Sequence, residues 1–246
     1  MILDFTVAIV AVLASAIASI AGFGIGSILT PLVASQYGMK TAVAAVSIPH
    51  VIATAVRFWR LRTHVDRNVF WGFGVMNAIG ALAGAMLHVY VQNVLLSVVL
   101  ALLLIFAAVL GLTGYSDRLR FGRTAAWIAG AVSGGFGGLV GNQGGIRSAA
   151  MLGLGVSGPA FVATATAIAL IVDAVRMPVY FITESARILS TWPALLAAVI
   201  GVVIGTLTGE RVLQKIPDKL FRRIVSAILL CIGTWLLYWG AGPRTT

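Results

Sequence analysis

Charge is sparse along eight long stretches of this chain, at about 2 to 20, 41 to 59, 69 to 91, 94 to 113, 124 to 140, 158 to 182, 190 to 209 and 221 to 240. A helix rises about 1.5 Å per residue, so roughly 20 apolar residues cross the ~30 Å hydrocarbon layer of a bilayer. Backbone in lipid must satisfy its own hydrogen bonds, and runs of this length do so as helices. The composition agrees: 60% of the 246 residues are hydrophobic and 10% charged, where soluble domains carry about a quarter charged. The expected fold class is all-α integral membrane, with eight long spans. Two shorter apolar pieces, 27 to 36 and 146 to 155, are left over.

The net charge of +10 does not point to nucleic acid here, because the basic residues gather in the gaps between spans, as membrane topology requires. Three gaps hold most of them: Arg57, Arg60, Arg62 and Arg67; Arg118, Arg120 and Arg123; Arg211, Lys215, Lys219, Arg222 and Arg223. All three are expected on the cytoplasmic side of the plasma membrane. Three long spans separate the second gap from the third, an odd number that would put the most basic loop outside. A short helix within 141 to 157, completing a pass or folding its neighbour into a hairpin, repairs the parity. The same reading of residues 22 to 36 places both termini outside. The N-terminal stretch has no basic leader and reads as a retained first span. Trp59, Trp71, Tyr90, Trp127, Tyr180, Trp192, Trp235 and Trp239 fall near proposed span ends, as interfacial anchors do. Cys231 reads as a packed core residue.

A shift of 119 residues pairs Gly22 with Gly141, Gly26 with Gly145, and Ala55-Val56-Arg57 with Ala174-Val175-Arg176. Two residues out of that register, Gly80 and Gly84 match Gly201 and Gly205; these small-xxx-small faces, with Gly209, serve either a homodimer or the packing of the bundle. The expected organisation is a first half over 1–113, a cytoplasmic linker over 114–123 and a second half over 124–246. Each half has five helices, one of them a short half-helix in a re-entrant hairpin. The charge assignment gives the halves opposite orientation. Inverted repeats with interrupted helices meeting near the midplane are typical of secondary transporters.

The two breaks read AGFGIGSILTPL, 21 to 32, and GNQGGIRSAAML, 141 to 152. Glycines permit the tight turn, and the helix start that follows presents unpaired N–H groups and a positive dipole end, a setting for an anion. Gly24, Gly26, Ser27 and Thr30 on one side and Asn142, Gln143, Gly144, Gly145, Arg147 and Ser148 on the other are the expected substrate contacts. A guanidinium matches the paired oxygens of an oxyanion. A charge at this depth calls for a ligand or a structural partner, and both readings of Arg147 stand. Asp173 and Arg176, three apart, either neutralise each other or serve a proton relay; His50 is a further relay candidate or an interior histidine with its bonds satisfied. His64 and His88 receive no role.

No cofactor or metal motif is present: there is no HExxH pair and no Walker loop. Residues 155 to 158, GVSG, have the form of a rhomboid protease motif, but all three histidines precede Ser157, against the order that chemistry uses. No enzymatic activity is expected.

At GGLVGNQGGIRSAAML, followed by AFVATATAIALIVDAVRMPVY (160 to 180), and at the first glycine break with Pro31, the chain resembles the TauE/SafE family of sulfite and organosulfur-anion exporters. The likeness covers nearly the whole chain. It implies a secondary exporter of a small anion, sulfite or a sulfonate; a passive anion channel, or a transporter of another small organic anion, is the alternative reading. Where many members carry three glycines, this chain has Gly24-Ile25-Gly26-Ser27, and its second break carries Arg147 and no proline.

Overall fold

The computed structural model describes residues 2–115, 120, 122–213 and 216–241. Among them there are helices and no strand. The helices are α1 (Ile2–Ala21), α2 (Ile25–Tyr37), α3 (Met39–Leu61), the short α4 (Arg67–Val69), α5 (Val75–Tyr90), α6 (Asn93–Thr113), α7 (Arg123–Val140), α8 (Gly144–Gly153), α9 (Gly158–Ser190), α10 (Trp192–Leu213) and α11 (Asp218–Ala241). A π-helical turn at Phe70–Gly74 joins α4 to α5 in one continuous rod, Arg67–Tyr90. Arg118, Lys215 and Arg244, and much of the linker, lie outside the described residues.

Among the described residues, seven helices are long and apolar enough to cross a bilayer. The expected eighth, α7, falls short by length: its apolar part is Thr124–Val140. Helix α2 extends the apolar stretch 27 to 36 slightly at both ends, while α8 begins and ends two residues before the stretch 146 to 155. Helix α9 runs well past residue 182, and its last part keeps an i,i+3 pair between Arg187 and Glu184 at 3.0 Å. This explains why Tyr180 is no interfacial anchor. It is 1% exposed and donates its hydroxyl hydrogen to the Gly138 carbonyl. Trp59, Trp71, Tyr90, Trp192 and Trp239 are exposed, as anchors require. Cys231 also departs from expectation, since it faces outward on α11 rather than into the core.

Glycines decide which helices touch. Along α5 and α7, a Cβ on Gly134 would collide with the Asn77 carbonyl, one on Gly138 with that of Ala81, and one on Gly84 with that of Gly135. Along α1 and α10, Gly201 and Gly205 press on the carbonyls of Ala8 and Val12, and Gly209 on Ala16. The small-residue faces are thus occupied within the chain, backbone against backbone. Helix α3 packs on α9 and α6 on α11; α10 lies on α3 as α5 lies on α9; α11 touches α2 as α6 touches α8. Exchanging α1, α2, α3, α5 and α6 for α7, α8, α9, α10 and α11 carries each of these packings onto another or onto itself.

Helices α3 and α9 form the middle, and the outer helices turn Ile79, Leu82, Met86, Leu102, Phe106 and Ile200 outward. Apolar side chains exposed on that scale suit a lipid surrounding. Polar groups concentrate where α3 and α9 meet the starts of α2 and α8.

Candidate functional site

Each short helix begins at a glycine turn that only glycine tolerates. Gly22 at φ 75° and Gly24 at φ 141° precede α2, and Gly141 at φ 72° ends α7 before α8. The left-handed region is strained for other residues, so these turns require glycine. The two turns meet. A Cβ on Gly26 would strike the Gly141 carbonyl oxygen, and one on Gly144 would lie 2.5 Å from the ring of Phe23. Arg147, two residues into α8 beyond its glycines, reaches across and donates from Nη2 to the Gly22 carbonyl at 2.8 Å.

The residues expected to contact substrate converge around that junction. Gly24, Gly26, Ser27, Thr30, Asn142, Gln143, Gly144 and Arg147 are buried, and Gly145 and Ser148 half-buried. Asn142 caps the start of α8, accepting the Gly144 N–H on Oδ1 at 3.2 Å. Ser133 donates to the Gln143 carbonyl at 3.3 Å. Several polar atoms remain without a hydrogen-bond partner: Thr30 Oγ1, Asn142 Nδ2, Gln143 Oε1, and Nε and Nη1 of Arg147. Buried groups are usually satisfied, so a cluster of unsatisfied ones marks a place where a ligand or water is needed.

A cleft of about 310 Å³ is lined by Phe23, Gly145 and Ser148 of the two breaks, by Phe161 and by Ser226 and Arg222 of α11. Its lining is mainly apolar.

The second polar group lies on the central pair of helices. Asp173 on α9 accepts on Oδ1 from Arg176 Nε at 2.9 Å and Nη2 at 2.7 Å, and on Oδ2 from His50 Nδ1 of α3 at 2.7 Å. Arg176 uses its remaining Nη1 on the Gly137 carbonyl at 2.6 Å, at the end of α7. It therefore turns inward. This is the mutual neutralisation expected as one reading, enlarged by a histidine from the other half. The cluster ties α3, α7 and α9 together beside the second glycine turn: a Cβ on Gly141 would lie 3.7 Å from Arg176 Nη1 and 3.9 Å from Thr30 Oγ1.

His88, given no role from sequence, is fully buried, and its Nδ1 donates to the Leu139 carbonyl at 2.7 Å beside the Tyr180 ring. It braces the end of α7. Arg57 also departs from expectation. It was grouped with the basic gap that follows α3, yet it is 5% exposed, with Nε and Nη2 unpartnered. Its signal was the match of Ala55-Val56-Arg57 to Ala174-Val175-Arg176.

Seven long apolar helices among the described residues, packed around a buried polar centre, are those of a multi-pass membrane protein. The family model for the sulfite exporter TauE/SafE matches residues 7–236, and the chain belongs to that family. Its members' description is that of membrane sulfite exporters. No curated protein and no solved structure matches the chain.

Proposed function

We propose that this protein exports a small oxyanion, sulfite or an organosulfonate, across the plasma membrane by alternating access around the two facing glycine turns. One observation carries the reading: two glycine turns from opposite halves of the chain touch in the interior, and a buried arginine with unpartnered donors stands between them. A charge kept at that depth is expensive without a ligand.

The exchange of helix packings between the halves and the basic gaps support an inverted repeat with both termini outside. Such a repeat offers two mirrored arrangements of one site, the requirement for alternating access. Contact between the turns favours a carrier over a standing anion channel. An inside-negative potential drives anion export by about 2.3 kcal/mol per charge at 100 mV, so no coupling ion is required. If flux also follows a pH gradient, the contact of His50 with Asp173 is where the proton is exchanged.

The test is efflux of radiolabelled sulfite from proteoliposomes under an imposed potential. Saturable, potential-dependent flux that Arg147→Ala reduces at least tenfold is expected. Flux that never saturates would return the channel reading, and flux unchanged by the substitution would remove Arg147 from the site.

A further inference from the structure

The cluster at Asp173 has a counterpart in the first half that lacks its acid. Under the 119-residue shift Arg176 corresponds to Arg57, and Asp173 to Thr54. In α9 the carboxylate Oδ1 of Asp173 takes two donors from one edge of the guanidinium, Nε and Nη2. In α3 the same two nitrogens of Arg57, Nε and Nη2, have no partner, and neither has the hydroxyl oxygen of Thr54, which is 1% exposed. No carboxylate among the described residues pairs with Arg57. The charge of Arg147 acts on Arg57, and those of Asp173 and Arg176 act on Arg147, whose Nε and Nη1 are also unpartnered. Arg176 has Asp173 bonded to it, whereas among the described residues no carboxylate is bonded to Arg57 or Arg147, so each of these buried guanidiniums keeps donors free for an anion.

We propose that Arg57 and Arg147 together seat the exported oxyanion, whose oxygens take on the Nε and Nη2 edge of Arg57 the place that Asp173 takes on Arg176. The substrate is then the counter-ion that the first half lacks. This rests on the anion-export reading and deepens it by naming a second binding residue and a charge preference. Arg57, Arg147 and Arg176 against Asp173 leave two positive charges to balance, which selects a doubly charged oxyanion over a singly charged one of similar size. The fork geometry also selects an anion with two adjacent oxygens, which a halide does not have.

The experiment compares purified full-length wild type with Thr54→Asp and Arg57→Met, by titration calorimetry and thermal unfolding. The probes are sulfite, at an alkaline pH where it is doubly charged, and methanesulfonate. Thr54→Asp places a carboxylate one turn before Arg57, as Asp173 stands before Arg176, and Arg57→Met removes the unpaired charge. Both are expected to unfold at or above the wild-type temperature without anion, and to bind sulfite at least roughly thirtyfold more weakly. Wild type is expected to bind sulfite at least about tenfold more tightly than methanesulfonate. If wild type binds sulfite and both variants bind it equally well, the Arg57 seat is overturned while the export reading stands. Equal affinity of wild type for the two anions overturns the charge preference. If wild type binds neither, the export reading fails and the seat with it. Should Thr54→Asp not fold, Arg57→Met decides the question alone.

Discussion

Asp173 engages Arg176 and His50 at once, and the energetics of its pair with Arg176 are lopsided. Assembling a buried pair gains little over an apolar replacement, but removing one partner strands a charge and costs about 3–5 kcal/mol. Asp173→Asn should therefore destabilise the purified protein by about 3–5 kcal/mol, read as a lower unfolding midpoint. The double variant Asp173→Asn with Arg176→Met should recover a good part of the loss, because no charge is left stranded. A double variant as unstable as the single one would mean that the cluster is not an ion pair in this sense. The spacing of Asp173 and Arg176 made their pairing legible in the sequence, since residues three apart on a helix share a face. The contact with His50 was not, because it joins residues 123 apart in sequence and depends on how α3 crosses α9. Arg57 and Tyr180 were misjudged for a related reason. Their place near a proposed helix end suggested an interface, but burial at a helix end is decided by the neighbouring helix, and one sequence does not show its neighbours.

The helices themselves were more legible than their side chains. Their hydropathy marked where they lie, and the glycine clusters marked the two turns, because a tight turn inside an apolar stretch leaves few residue types to choose from. What a hydropathy pattern does not carry is where a helix stops when no charge or proline stops it, as with α9. Nor does it distinguish a glycine that turns the chain from one that lets helices touch. The contacts make that distinction, and it has consequences. Gly138→Val and Gly205→Val each push a side chain into the carbonyl of a facing helix; both should abolish the folded monomer on size exclusion in detergent. Gly155 has φ 82° and open space around it, so Gly155→Ala should cost only about 1 kcal/mol of backbone strain, read as a small drop in unfolding midpoint. Gly26→Val should spare the bundle but wedge the two turns apart, leaving a folded protein without saturable sulfite flux. Intact flux in that variant would mean that the turns need not touch.

At the scale of the whole molecule, the account requires one orientation in the membrane. The gap after α3 should face the cytoplasm and the turn between α5 and α6 the outside, because positive charge is retained within. In a Cys231→Ala background, Thr63→Cys should react with an impermeant maleimide only after the cells are opened, and Gln92→Cys in intact cells. The reverse pattern would invert the topology and, with it, the direction of transport. The proposed two-half organisation leaves only a faint trace in the sequence, a shift of 119 residues, since packing constrains shape and small residues more tightly than identity. The packings α1 on α10 and α5 on α7 express it far more clearly than the residues do. The central claim is that an anion is held where the two halves meet. Selenite, a heavier analogue of sulfite with the same pyramidal shape, gives the most direct test through its anomalous scattering in crystals of the protein. One strong selenium peak within hydrogen-bonding distance of the Arg147 guanidinium, between Gly22 and Gly141, is the predicted result; selenium found only at the aqueous faces, with that guanidinium untouched, would contradict it.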